Sequence, residues 1–201
     1  MIYVKLVVTG PFNAGKTALI NTVSEIRGVE TEVNTEAGRH VKLQTTVAMD
    51  FGRVTLPSGL TLHLVGTPGQ RRFAFMWETL ILDCNGILML VDSSDPHSFA
   101  DAGWMLDFFT ARADGIPIFV VANKQDLPTA LAPAAVGRAL NLDPCGRAKR
   151  ETALLLPRGC VAHDYESVLS VLEAIEPHLA IDWNAVQHPL YSRLDDTVYV
   201  E

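Results

Sequence analysis

Gly10-Pro11-Phe12-Asn13-Ala14-Gly15-Lys16-Thr17 has the spacing G-x-x-x-x-G-K-T. The apolar run Tyr3–Val8 before it reads as a strand, and Thr17–Val23 after it reads as the body of a helix. That strand–loop–helix order is the setting in which such a loop binds phosphate. Its glycines let the backbone curl so that successive N–H groups point inward at phosphate oxygens, and the helix N-terminus adds partial positive charge. The candidate phosphate contacts are Asn13, Ala14, Gly15, Lys16, Thr17 and Ala18. Lys16 would reach the β- and γ-phosphates, and the Thr17 hydroxyl would ligate Mg²⁺.

A second motif selects the base. The apolar stretch Ile118–Ala122 runs into Asn123-Lys124-Gln125-Asp126, an N-K-x-D sequence. The Asp126 carboxylate can accept from both the ring N1–H and the exocyclic amine of guanine. Adenine has no N1 proton and carries its amine elsewhere, so it leaves the carboxylate unpaired, which is costly. Asn123 would tie this loop to the phosphate loop, and the Lys124 stem would cover one face of the base.

On these motifs the chain resembles a small GTPase of the Ras superfamily over about residues 1 to 180. Asn123–Pro128, with the Ala- and Leu-rich segment after it, resembles the Arf branch. Thr46–Gly52 and Gly66–Gln70 are similar to prokaryotic Ras-like GTPases, including the MglA polarity GTPases and those encoded beside roadblock-type proteins. The resemblance implies a P-loop G domain, GTP and GDP as ligands, Mg²⁺ as cofactor and a roadblock-type regulatory partner.

Composition agrees with one α/β domain. The chain has 201 residues, 48% of them hydrophobic, enough for a substantial core. A net charge of −7 offers no general basic surface for nucleic acid. Cys84, Cys145 and Cys160 are scattered without metal spacing, as in a protein with reduced thiols in the cytoplasm. No run is apolar enough to span a membrane. Ile2 excludes myristoylation, and the Val198–Glu201 end is not a prenylation box, so no direct membrane anchor is expected. Residues 181–201 form a tail with Trp183, Leu190, Tyr191, Val198 and Tyr199. It is too apolar for a disordered tail and would pack on the domain or bind a partner.

Strand and helix patterns alternate. Strands are expected at 3–9, 47–56, 61–65, 86–92, 118–123 and 153–156, and helices at 16–26, 75–84, 99–111, 133–140 and 165–178. The turn Pro57-Ser58-Gly59 makes the second and third strands a hairpin. The other connections imply right-handed crossovers. The result is a mainly parallel six-stranded sheet with one antiparallel edge hairpin and helices on both faces. Ligands bind such sheets at the carboxyl ends of strands, where the phosphate loop, Gly66–Gln70, Asn123–Asp126 and the Cys160-Val161-Ala162 turn all fall.

The remaining site residues come from the family pattern. Thr46, spaced as T-x-x-x-D-F with Asp50 and Phe51, matches the first-switch threonine that binds Mg²⁺ and senses the γ-phosphate; Thr45 is the neighbouring candidate. The second switch usually reads D-x-x-G-Q but here reads Gly66-Thr67-Pro68-Gly69-Gln70. Asp50, on the facing strand of the hairpin, is expected to supply the missing carboxylate, through water. Gly69 would offer its N–H to the γ-phosphate and Gln70 would orient the attacking water. Arg39, Arg71 and Arg72 are all candidates for an arginine in cis. Phe12 stands where many relatives have glycine, and its ring would either crowd the γ-phosphate or turn outward. Val161 and His163 flank Ala162 where the family has serine and lysine; the Ala162 N–H would bond the guanine carbonyl. Phe73, Phe75, Met76 and Trp77 form either a nucleotide-gated surface or core beneath the switch.

The expected activity is that of a switch that hydrolyses GTP slowly unless a partner stimulates it. Gly66 and Phe12 also allow a non-hydrolysing GTP-binding scaffold. A P-loop phosphotransferase is disfavoured by Asn123–Asp126 and by the lack of a lid segment.

Overall fold

The computed structural model describes residues 3–26, 49–113, 115–142 and 154–181. Thr45, Thr46, Arg39, Cys145 and the tail from 182 lie outside them. Strands β1 (Tyr3–Thr9), β2 (Phe51–Thr55), β3 (Thr61–Gly66), β4 (Gly86–Asp92), β5 (Ile118–Asn123) and β6 (Leu154–Gly159) form one sheet in the order β2-β3-β1-β4-β5-β6. Only the β2–β3 hairpin is antiparallel. Helices α1 (Lys16–Val23), α2 (Ala74–Leu80), α3 (Phe99–Thr110), α4 (Pro133–Ala139) and α5 (Tyr165–Ile175) cover the two faces.

Period-two alternation sorts the core. Leu6 and Val8 of β1, Leu88 and Leu90 of β4, and Phe119 and Val121 of β5 meet Leu19, Ile20, Val168 and Leu172 of α1 and α5. Val7, Ile87, Met89, Val91, Val120 and Ala122 face Trp77, Met105, Leu106, Phe109 and Val136 on the other side. Strands buried on both faces are continuous apolar runs for this reason. Successive strands are added to opposite sides of β1, which places the loop after β1 at the crevice where ligands of such sheets bind.

Several boundaries differ from those expected. The first helix stops at Val23 because Ser24 turns extended (ψ 125°) and the Glu25 N–H joins Arg53 O of β2 at 2.7 Å. Strand β2 closes at Thr55 because Leu56 enters the hairpin turn, bonding Leu60 and Gly59. A 3₁₀ turn, Arg71–Phe73, precedes α2, which ends before Asp83 takes φ 55°. Strand β6 runs three residues past the expected end at Leu156. Pro157 reads as a terminator, but β6 is an edge strand, where a missing N–H is tolerated. The last helix gives way to a 3₁₀ turn, Glu176–His178.

Candidate functional site

The phosphate loop folds as its glycines require. Gly10 (φ 137°), Asn13 (φ 63°) and Gly15 (φ 99°) all take positive φ. A Cβ on Gly10 would lie 2.1 Å from Leu90 O, and one on Gly15 2.3 Å from Asn123 Nδ2. Lys16 is nearly buried, and its ammonium donates to Gly10 O (2.9 Å) and Pro11 O (2.7 Å). Burial pulls its pKa down to about 8, although Asp50 opposes the shift. Phosphate oxygens beside the ammonium would raise it again. Below pH 8 Lys16 is therefore charged with or without nucleotide. Above pH 8 the free protein loses a proton that it must regain on binding. Nucleotide affinity is expected to be flat up to about pH 8 and to fall about tenfold per pH unit above it, measured by isothermal titration calorimetry across that range.

Second-switch residues lie against this loop. A Cβ on Gly69 would be 2.6 Å from Lys16 Nζ and 2.8 Å from Phe12 N, so only glycine lets the two backbones approach so closely. Thr67 bonds Val8 O and shares a hydroxyl contact with Thr9, fixing the start of the switch to β1. Phe12 itself is 73% exposed, so of the two orientations considered the outward one is present. Phe12→Ala is accordingly expected to leave the single-turnover rate within about twofold, the usual reach of a surface change.

Asp50 and Gly66 face each other across the hairpin. The Thr17 hydroxyl donates to Asp50 Oδ2 at 2.6 Å. A Cβ on Gly66 would come within 3.0 Å of Asp50 Cβ and 3.2 Å of Asp50 Oδ2. The space beside Thr17 thus holds one carboxylate, and residue 50 fills it. A hydroxyl and a carboxylate oxygen side by side are the hard donors that Mg²⁺ takes alongside water and phosphate. Among the described residues no cluster of three or more His, Cys, Asp or Glu is present, and a phosphate-bound Mg²⁺ needs none.

The base side of the site is built around one amide. Asn123, 1% exposed, donates from Nδ2 to Ala14 O (2.8 Å) and accepts at Oδ1 from the Ala162 N–H (3.0 Å). It joins the loops after β1, β5 and β6. Beside it a cavity of about 190 Å³ is lined by Gly15, Ala18, Lys124, Asp126, Ala162 and His163. Lys124, at φ 64°, donates to Asp92 Oδ2 at 2.6 Å. Burial raises the Asp92 pKa, but hydrogen bonds from Lys124 and Ser94 outweigh it and hold the carboxyl below its usual range.

The backbone N–H groups of Ala162 and Val161, in the turn expected to close the base pocket, have partners within the protein. The Ala162 N–H goes to Asn123, and the Val161 N–H goes to Ser167 Oγ at 2.9 Å. The N-cap of α5 is Asp164, whose side chain accepts from the Ser167 N–H. His163 Nε2 lies 3.9 Å from Asp126 Oδ2. The sequence reading also missed Asp92, whose position at the carboxyl end of β4 was its one signal. Arg71 and Arg72 are occupied elsewhere: Arg71 pairs with Asp101, and the Arg72 guanidinium lies over the Phe73 ring. Trp77 is buried core while Phe75 is 71% exposed, which divides the cluster between its two readings. Cys160 is buried, and its thiol is pushed up to about 11 by that burial.

Comparison with known proteins agrees with this geometry. The ADP-ribosylation factor family model matches residues 3–175. ADP-ribosylation factor-like protein 6 of Caenorhabditis briggsae is 28% identical over 144 residues, 70% of each chain. ADP-ribosylation factor-like protein 8b of Arabidopsis thaliana is 31% identical over 140 residues, covering 69% of this chain and 70% of that one. Among solved structures, the Arl6 BBS3 small GTPase from Trypanosoma brucei with bound GppNp superposes with a TM-score of 0.63 at 19% identity. That match covers 88% of this chain and 96% of that chain.

Proposed function

We propose that this chain, which belongs to the ADP-ribosylation factor family of GTP-binding, GTP-hydrolysing switches, reads its nucleotide with a relocated carboxylate at the metal. GTP and GDP are its ligands and Mg²⁺ its cofactor. The observation that carries the proposal is the Thr17–Asp50 contact beside Gly66, where an added Cβ would crowd Asp50 at 3.0 Å.

When bound, Mg²⁺ neutralises charge on the β- and γ-phosphates. Thr17 and, through water, Asp50 would hold it, with Thr46 as the first-switch ligand. The residues around it do the rest. Backbone N–H groups of Asn13 to Ala18 cradle the phosphates, and the Lys16 ammonium turns from the Gly10 and Pro11 carbonyls to the phosphate oxygens. Gly69 presents its N–H to the γ-phosphate, and Gln70 orients water for in-line attack. Asp126 reads guanine, and Asp92 keeps Lys124 in place. Val161 and Ala162 shape the turn that closes the base pocket, acting through Ser167 and Asn123.

The finer placement follows from the switch sequences. Asp50-Phe51-Gly52 and Gly66–Gln70 support a position near the prokaryotic MglA-like GTPases and regulation by a roadblock-type protein. The exposed Phe12 and Phe75 beside the switch support a surface for such a partner. Among the described residues no helix is long and apolar enough to cross a membrane.

The test is single-turnover phosphate release from bound GTP, alone and with a candidate roadblock-type protein. Release that the partner accelerates and Gln70→Leu abolishes is the expected result. GTP that stays intact in both conditions would instead favour a non-hydrolysing scaffold.

A further inference from the structure

The second switch is pinned at both ends of its short catalytic stretch. At one end the Trp77 indole Nε1–H donates to Pro68 O at 2.8 Å. At the other, Arg71 NH2 pairs with Asp101 Oδ1 of α3 at 2.7 Å, and the Arg71 guanidinium lies 4.7 Å from the centroid of the Trp104 ring. Only Gly69 and Gln70 lie between the two anchors. The anchors touch each other, since Trp77 and Trp104 meet edge to face at 5.8 Å. Trp77 also stacks on Phe109 and meets Phe108 edge-on. The aromatic wall that receives the switch is therefore continuous with the core under β4 and β5.

We propose that Asp101 and Trp104 are positioning residues for hydrolysis: they latch Arg71 to α3 and so hold Gln70 and Gly69 over the phosphate loop. The proposal rests on Gln70 orienting the attacking water. A chain segment held at both ends loses less freedom when it adopts its reactive arrangement, so that cost does not fall on the chemical step. The Trp77 ring of the first anchor is fully buried. The Arg71 anchor is a half-exposed ion pair, with 48% and 56% of the two side chains accessible, so it can open. This division suits a loop that must release after turnover. It also accounts for Arg71 as a group that acts away from the phosphates, and it gives Trp104, partly exposed on α3, a task.

The test compares Arg71→Ala, Asp101→Ala, Trp104→Leu and Gln70→Leu in single-turnover hydrolysis of pre-bound GTP, with GTP and GDP affinities measured in parallel. An exposed ion pair and a cation–π contact together correspond to a slowing of about threefold to twentyfold. Arg71→Ala, which loses both contacts, is expected to slow hydrolysis by that factor, and Asp101→Ala and Trp104→Leu, which lose one each, by less, while both affinities stay within about twofold. The Arg71→Ala, Asp101→Ala double variant should be no slower than Arg71→Ala alone, and the reversed pair Arg71→Asp, Asp101→Arg should recover most of the rate lost with the ion pair. In a Gln70→Leu background the latch changes should have no further effect. Unchanged or faster hydrolysis in Arg71→Ala and Asp101→Ala, with Gln70→Leu still slow, overturns the latch alone. A Gln70→Leu protein as fast as the parent overturns the role of Gln70 as well. Equal losses in rate and affinity would make the contact merely structural.

Discussion

Asp126→Asn is expected to weaken GTP binding by about a hundredfold or more and to transfer preference to a base with a carbonyl at C2. As a guanine reader the carboxylate would accept two hydrogen bonds from the base, and a bond to a charged partner is worth about 1.5–3 kcal/mol. An asparagine has one acceptor and one donor on that edge. It leaves the guanine amine facing another donor, while xanthine places a carbonyl there and is paired. Asp126 lines the cavity beside Asn123 and Lys124, and its nearest ion pair is the exposed His163 at 3.9 Å, so the substitution removes little that holds the fold. Competition of GTP, xanthosine triphosphate and ATP against a fluorescent guanine nucleotide reads the result. Unaltered selectivity would disprove base reading by Asp126, and an ATP preference in the parent protein would return the chain to the phosphotransferases.

The second large effect concerns the exchanged carboxylate. Asp50→Ala should cost about tenfold to a hundredfold in Mg²⁺-dependent affinity, the scale of losing one charged hydrogen-bonding partner. Gly66→Asp in the parent should be harmful in its own right. Its Cβ would meet Asp50 Cβ at 3.0 Å, Asp50 Oδ2 at 3.2 Å and Ile20 Cδ1 at 3.1 Å. The two changes together should restore much of the metal dependence, because the carboxylate then returns from β3 to the same space. Such rescue is a coupling between touching residues, which additive effects cannot imitate. Nucleotide dissociation rates with and without a chelator measure it. Asp50→Ala with unchanged metal dependence would sink the assignment, and a double variant worse than either single would separate the two sites.

What could be read in advance follows from how local each requirement is. The phosphate loop and Asn123–Asp126 impose backbone shapes over a few residues, so their spacing alone declares them. Asp50 was accessible because a hairpin turn at Pro57–Gly59 sets the register that brings β2 opposite Gly66. The partner of the Ala162 N–H could not be read, since a bond to the side chain of Asn123, far away in the chain, leaves no mark in the residue string. The run of β6 past Leu156 could not be read, because whether a strand tolerates a proline depends on its being at an edge. The partners of Arg71 could not be read at all: Asp101 and Trp104 are about thirty residues away, and no motif marks a surface ion pair.

Asn123 has one more consequence, for the order in which the nucleotide departs. Its amide stitches three loops together out of reach of water with contacts made inside the protein, so the pocket beside it keeps its shape whether or not the base is there. The phosphate end would be held by groups that already have substitutes, since the Lys16 ammonium has two carbonyls waiting, and the Arg71 pair that steadies the second switch stands in solvent. Exit should therefore begin at the phosphates and finish at the base. A catalyst of exchange gains most by prying at the switches and leaving the Asn123 knot tied. Amide hydrogen exchange during catalysed release checks this order: the Ala162 N–H should stay protected while the second switch opens.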